Sequence, residues 1–277
     1  MTDERYEELK SIAIEVRKDV VRMIGVARSY GLSSALTVAD VLVYLYWERM
    51  DVVRAGIENR QDRLVLGKGA ATPTLYSCLA RLGFFSRDEL WSFRRLGATL
   101  QGYPDVRTPG VDAPGGVYGS GIGIAAGMAK AMSMKGSAGR IFCVLGDGEL
   151  QEGSVWESAA SAACHGLGNV VVIVDANSED NAPCFSAIGD LSSVSKRFEA
   201  LGWSVSRADG HDFRSLERTF DDLDFSRPCP KAILAKTLTN GGIALDKDKE
   251  MEDRAVPMTN DDIDRALSVL ETGVERP

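Results

Sequence analysis

Two stretches of this chain are almost continuously apolar: RIFCVLG at 140–146 and NVVVIVDAN at 169–177. A strand with one face in water alternates polar and apolar residues. A run without that alternation reads as a strand covered on both faces. The segment between them, from about Glu152 to His165, has helical spacing. Strand, helix, strand in that order is a parallel crossover unit. KAILAK at 231–236 and a short strand around Trp203–Ser206 continue the alternation, with helices near Leu191–Leu201 and Phe213–Leu223. The pattern predicts an α/β fold with a mostly parallel sheet covered by helices.

The N-terminal part reads as helical. Leu9, Ile12, Ala13, Val16, Val20, Met23 and Ile24 recur on one face, with charges between them. Thr37 is placed to cap a helix running through Trp47. RLVLGKG at 63–69 reads as a short buried strand ending in a glycine turn, with helices expected over Thr72–Leu82 and Ser86–Arg94. From Gly97 to Gly123 prolines and glycines dominate, so an extended loop is expected, leading into a small-residue helix that ends near Met134. A loop of that length within a compact domain is usually functional. One domain is expected over residues 1–277, with a helical N-terminal extension over about 1–60 and a last helix near Asp261–Leu270. A mobile charged segment is expected near 244–258.

Charge and cysteine content narrow the class. With 32 Lys+Arg against 40 Asp+Glu the formal charge is −8, which argues against a general nucleic-acid binder. The chain has no apolar run long enough for a membrane span. MTDERYEELK lacks the apolar centre of a signal peptide, so the expected compartment is cytoplasmic. The five cysteines form no C-x-x-C pair, which speaks against a disulfide scaffold or a zinc site. Cys143 lies inside an apolar run and reads as core.

The chemistry concentrates at the ends of the two apolar strands. Gly146-Asp147-Gly148 closes the first, and Asn177 lies just past the second. In open α/β sheets, ligands bind outside the carboxyl ends of the strands. If the strands are neighbours, Asp147 and Asn177 converge. One carboxylate and one amide oxygen suit Mg²⁺, which completes its shell with phosphate oxygens and water. Glycines beside the aspartate let backbone N–H groups approach a diphosphate. Taken alone, the two positions also fit a plain turn and a helix cap, and that plainer reading is slightly favoured.

A resemblance decides between them. GDG, 28 residues, then Asn resembles the thiamine-diphosphate-binding signature. LGKGAATPTLYSCLARLGFF, LWSFRRLGATLQGYPD, TPGVDAPGGVYGSGIGIAAGMAKA, GDGELQEGSVWESA and ADGHD resemble the N-terminal part of transketolases, over about residues 10–240. The resemblance implies a three-layer α/β/α diphosphate-binding fold that uses thiamine diphosphate and Mg²⁺. It implies that Asp147 and Asn177 ligate the cation through their side chains, and Glu179 through its backbone carbonyl. Gly146 and Gly148 match the diphosphate cradle, and Gly116 and Tyr118 match backbone contacts to the thiamine. Glu152 and Glu157 match acidic residues that link two active sites across a subunit interface, and His211 matches a histidine near diphosphate and substrate. Plainer roles exist for the last three. Glu152 suits a helix N-terminus, Glu157 a solvated face, and His211 a cap on the helix that follows.

Two departures from the family follow. A full transketolase has three domains, of which this chain matches the first. The implied partner is a C-terminal transketolase-like subunit carrying the pyrimidine-binding domain and its activating glutamate, in an α₂β₂ assembly. The second departure concerns three family histidines that bind ketose hydroxyls. Their places are taken by Tyr30, Ala70 and Tyr103, in Ser29-Tyr30, Lys68-Gly69-Ala70 and Gln101-Gly102-Tyr103-Pro104. Alanine cannot bind a hydroxyl, and tyrosine is a poor proton shuttle at neutral pH. The expected function is carbon–carbon bond formation by ketol or acyl transfer, with a 2-oxo acid such as pyruvate as donor. The alternatives are an ordinary split transketolase using ketose phosphates and a non-catalytic regulatory or binding subunit. An oxidative 2-oxo acid dehydrogenase component fits the local wording less well.

Overall fold

A computed structural model of the protein describes residues 1–52, 61–177, 191–242 and 258–272. Its centre is a five-stranded sheet: β1 (Arg63–Leu66), β2 (Ile141–Gly146), β3 (Val170–Ala176), β4 (Ser204–Asp209) and β5 (Lys231–Lys236). The strand order is β1-β2-β3-β5-β4, and every pairing is parallel. Each residue of β2 and β3 is buried, as their apolar runs require. β4 is an edge strand and stays half-exposed. It runs to Asp209, past the expected end at Ser206, because its pairing with β5 continues to Asp209 opposite Lys236.

Alternation of side chains divides the core into two layers. Phe142, Val144, Val171, Ile173, Ile233 and Ala235 face one layer, with α1 (Asp3–Val26), α2 (Leu32–Leu36), α3 (Ala39–Tyr44), α4 (Thr72–Arg81) and α8 (Phe213–Asp221). Ile141, Cys143, Leu145, Val170, Val172, Val174 and Leu234 face the other, with α5 (Gly121–Met134), α6 (Gly153–Cys164) and α7 (Leu191–Ala200). A last helix, α9 (Asn260–Thr272), packs on α1. The result is the three-layer α/β/α arrangement with a parallel sheet. The N-terminal helix shares its core with the sheet, and Arg17 in α1 makes a bidentate, buried ion pair with Asp40 in α3. Among the described residues no helix is long and apolar enough to cross a membrane.

Two local expectations are corrected. Thr37 does not cap a helix to Trp47. It ends α2, α3 begins two residues later, and a π turn over Leu45–Arg49 finishes the segment. The reason is that the Thr37 hydroxyl is drawn inward, 2.7 Å from the carboxylate of Asp175. The helix expected over Ser86–Arg94 is a 3₁₀ segment, Arg87–Ser92, cut short where Phe93 turns extended and Arg94 adopts a φ of 58°. Apart from Met258, the charged segment expected near 244–258 lies outside the described residues.

Candidate functional site

β2 and β3 are neighbours in register, with Gly146 opposite Asp175. Their carboxyl ends therefore lie side by side. Gly146 is the last residue of β2, and the chain then turns through a 3₁₀ segment, Asp147–Gln151. Asn177 follows the last residue of β3. Asp147 and Asn177 line one pocket of about 150 Å³. Gly146, Gly148, Gly116, Tyr118, Ala70 and Tyr103 line it too, as do Lys68 and Glu149. The strand ends and the long loop thus meet in one pocket.

Two glycines in the wall permit close approach. A Cβ on Gly69 would lie 2.7 Å from Cδ1 of Tyr103. A Cβ on Gly116 would lie 2.8 Å from Cγ of the same ring, and Gly116 also has a φ of 101°. The Tyr103 ring packs over both glycines and lines the pocket.

Three further polar groups shape the site, and the motif reading passed over them. Glu149 is buried, and its Oε2 accepts the Gly146 N–H at 2.9 Å. Its Oε1 accepts the Gly119 N–H at 3.3 Å, so one carboxylate ties the G-D-G turn to the long loop. Burial pushes the Glu149 carboxyl up, against the opposing pull of these two N–H groups and of Lys68. Asp175 is fully buried in β3. It accepts from the Thr37 hydroxyl, from the Thr237 hydroxyl, from the Lys68 ammonium, and from Asn177 Nδ2 at 2.9 Å. Burial alone would raise the Asp175 carboxyl; the adjacent Lys68 ammonium and the hydrogen bonds outweigh it and hold it low. Lys68 also reaches Thr37 Oγ1 at 2.8 Å. A signal for Asp175 was present in the sequence: a carboxylate inside an apolar strand must find partners. For Glu149 no such signal exists, because the turn after β2 looks solvent-accessible in sequence.

The remaining expected residues fall elsewhere. His211 lines a neighbouring cavity of about 480 Å³ and not the pocket of Asp147. Its Nδ1 lies 2.6 Å from Oδ2 of Asp40, and its Nε2 accepts the Leu238 N–H at 2.9 Å. Both ring nitrogens are therefore engaged, which makes the imidazole a latch between α3 and the segment after β5. Glu152 and Glu157 are exposed, at the start and on the outer face of α6. Tyr30 is exposed and stacks on the Arg94 guanidinium, 5.2 Å from its ring centre, outside the pocket lining. Glu179 lies outside the described residues. His165, the second of the chain's two histidines, is exposed at the end of α6. Neither histidine reaches the pocket.

The donor set is consistent with a cation that brings oxygen ligands of its own. Among the described residues no group of three His, Cys, Asp or Glu side chains could hold a metal ion. Asp147 and the Asn177 amide instead offer two hard oxygens beside a glycine-lined hollow.

Comparison with known proteins settles the kinship. The family model described as "Transketolase, thiamine diphosphate binding domain" matches residues 10–273. This chain belongs to that family. Human transketolase is 34% identical over 249 residues, covering 89% of this chain and 40% of the human protein. A subunit of the apulose-4-phosphate transketolase of Phocaeicola vulgatus is 29% identical, covering 87% of this chain and 86% of that protein. Among solved structures, transketolase from Campylobacter jejuni superposes with a TM-score of 0.84 at 28% identity, over 98% of this chain and 43% of that one. The chain thus spans about two fifths of the full-length transketolases it matches. It is a transketolase-family thiamine-diphosphate-binding domain, and its pocket lies at the strand ends where the family signature falls.

Proposed function

We propose that this chain is the diphosphate- and Mg²⁺-binding component of a two-chain, thiamine-diphosphate-dependent transketolase-like enzyme. The observation that carries the proposal is the convergence of Asp147, Asn177 and the glycine-lined turns in one pocket. The residues fit the group. Glycines leave room for a diphosphate, Lys68 supplies a cation in the wall, and Asp147 with Asn177 supplies two oxygens for Mg²⁺. Bound here, thiamine diphosphate would supply a nucleophilic carbon and an electron sink for the donor carbonyl. Asp147 and Asn177 fix the cation. The turn at Gly146–Gly148 presents backbone to the phosphates. Tyr103 and Tyr118 line the same pocket.

The chain matches the Phocaeicola vulgatus subunit over most of both lengths. That match supports a separate C-terminal transketolase-like partner that contributes the pyrimidine-binding domain and its glutamate. An α₂β₂ assembly follows if Glu152 and Glu157, exposed on and beside α6, meet their counterparts across an interface.

For the donor we propose a 2-oxo acid such as pyruvate. Ala70 and Tyr103 in the wall, and the position of both histidines outside the pocket, leave this chain no imidazole with which to bind ketose hydroxyls. Loss of carbon dioxide from a 2-oxo acid generates the reactive carbon without such help. The second reading is a ketose phosphate donor. It is favoured by the name of the apulose-4-phosphate relative, which covers nearly the same length. The test is the reconstituted two-chain complex offered pyruvate and xylulose 5-phosphate separately. Turnover of pyruvate with little of the sugar phosphate supports the 2-oxo acid. The reverse preference selects the second reading, and a complex that turns over neither points to a binding subunit.

A further inference from the structure

Asp175 is a charged group at the centre of a parallel sheet, opposite Gly146 on β2 and Ala235 on β5. Such a group is costly unless fully paired. Here four donors from four segments surround it: Lys68 after β1, Thr37 after α2, Thr237 after β5, and Asn177 just beyond its own strand. Two of these donors, Lys68 and Asn177, also line the pocket.

The contact with Asn177 has a definite chemical sense. An ionised carboxylate only accepts hydrogen bonds, so the amide must turn its NH₂ toward Asp175. Reversing the amide would set a carbonyl oxygen against a carboxylate oxygen. The Asn177 Oδ1 is therefore the end left for the pocket. In the same way the carboxylate holds the Lys68 ammonium against Thr37, at the wall of the pocket.

We propose that Asp175 is a positioning residue for the cation and diphosphate. It fixes which end of the Asn177 amide is presented and where the Lys68 charge lies. The inference rests on the reading of this pocket as the Mg²⁺–thiamine diphosphate site. Thr237 supplies an internal control. Its hydroxyl bonds to the same carboxylate, yet it orients neither Asn177 nor Lys68.

The experiment titrates the reconstituted two-chain complex with Mn²⁺ in the presence of thiamine diphosphate, following loss of the free-ion electron paramagnetic resonance signal. Wild type, Asp175→Asn and Thr237→Val are compared, with thermal unfolding recorded alongside. The expected result is an affinity at least about tenfold weaker in Asp175→Asn, as for other residues that orient metal ligands. Thr237→Val should lower the unfolding temperature and leave Mn²⁺ uptake at the wild-type value. Unchanged uptake in folded Asp175→Asn overturns the proposal while leaving the site intact. Wild type that takes up no Mn²⁺ overturns the reading of the site itself. If Asp175→Asn does not fold, the wild type still decides. Its Asn177 side-chain amide, assigned with Asn177→Ala, should show one proton shifted downfield and protected from exchange. An ordinary, rapidly exchanging pair of amide protons contradicts the proposal.

Discussion

The N–H of Gly146 donates to Oε2 of Glu149 across 2.9 Å, so the turn that carries Asp147 is closed by a carboxylate three residues on. The other oxygen of Glu149 holds Gly119, two residues before the small-residue helix. One buried side chain thereby sets the spacing between two walls of the pocket. Glu149→Gln keeps one acceptor and presents an NH₂ to the second N–H group. The expected cost is about 1–3 kcal/mol, the penalty of one unsatisfied buried donor. Chemical denaturation measures it, and a cost near zero would show that the two loops are held by other contacts.

The Arg17–Asp40 pair gives the fold an acid-sensitive joint. Burial alone would raise the Asp40 carboxyl, but the Arg17 guanidinium and the contact with His211 outweigh it and hold it at about 2, against an ordinary 3.8. The folded value lies below the unfolded one. The pair's contribution is therefore complete above pH 4 and is lost as pH falls toward 2. That loss should amount to about 2 kcal/mol. Denaturant unfolding at several pH values reads it directly. Asp40→Asn should remove this pH slope and cost about 3–5 kcal/mol near neutrality, because Arg17 is left buried without its partner.

Gly116 combines a left-handed φ with contact against Tyr103. Gly116→Ala is expected to cost about 1–3 kcal/mol through backbone strain and displacement of the ring. Adding Tyr103→Ala should recover the contact part and leave the backbone part. Thermal unfolding of the single and double variants separates the two, and full recovery would mean the φ carries no strain.

Ala70→His alone is expected to confer no turnover of a sugar phosphate on the assembled enzyme. Ala70 and Tyr103 share the pocket wall, while Tyr30 stands outside it on Arg94, so one imidazole restores only part of the missing set. Steady-state assays with xylulose 5-phosphate check this. A gain of activity would show that a single histidine was the whole difference.

Much of the fold was legible because β2 and β3 are buried on both faces and their sequences show no alternation. The parallel order and the meeting of Asp147 with Asn177 follow from that one property. The segment around Thr37 was not legible. Its breaks are set by a hydroxyl reaching Asp175, 138 residues away in sequence. The surroundings of His211 were hidden for a similar reason. Its motif gives its neighbours along the chain, but Asp40 and Leu238, which hold its two nitrogens, come from distant segments. Glu149 and Lys68 act through burial and long-range pairing, which local spacing does not encode.

The central claim is that this pocket holds thiamine diphosphate through a cation on Asp147 and Asn177. Its most direct test is calorimetric titration of the reconstituted two-chain complex with thiamine diphosphate, with and without Mg²⁺, in the wild type and in Asp147→Ala. The account predicts binding that requires Mg²⁺ and is abolished by Asp147→Ala in a protein that remains folded. Binding that ignores both the cation and Asp147, or a wild type that binds nothing, would contradict it.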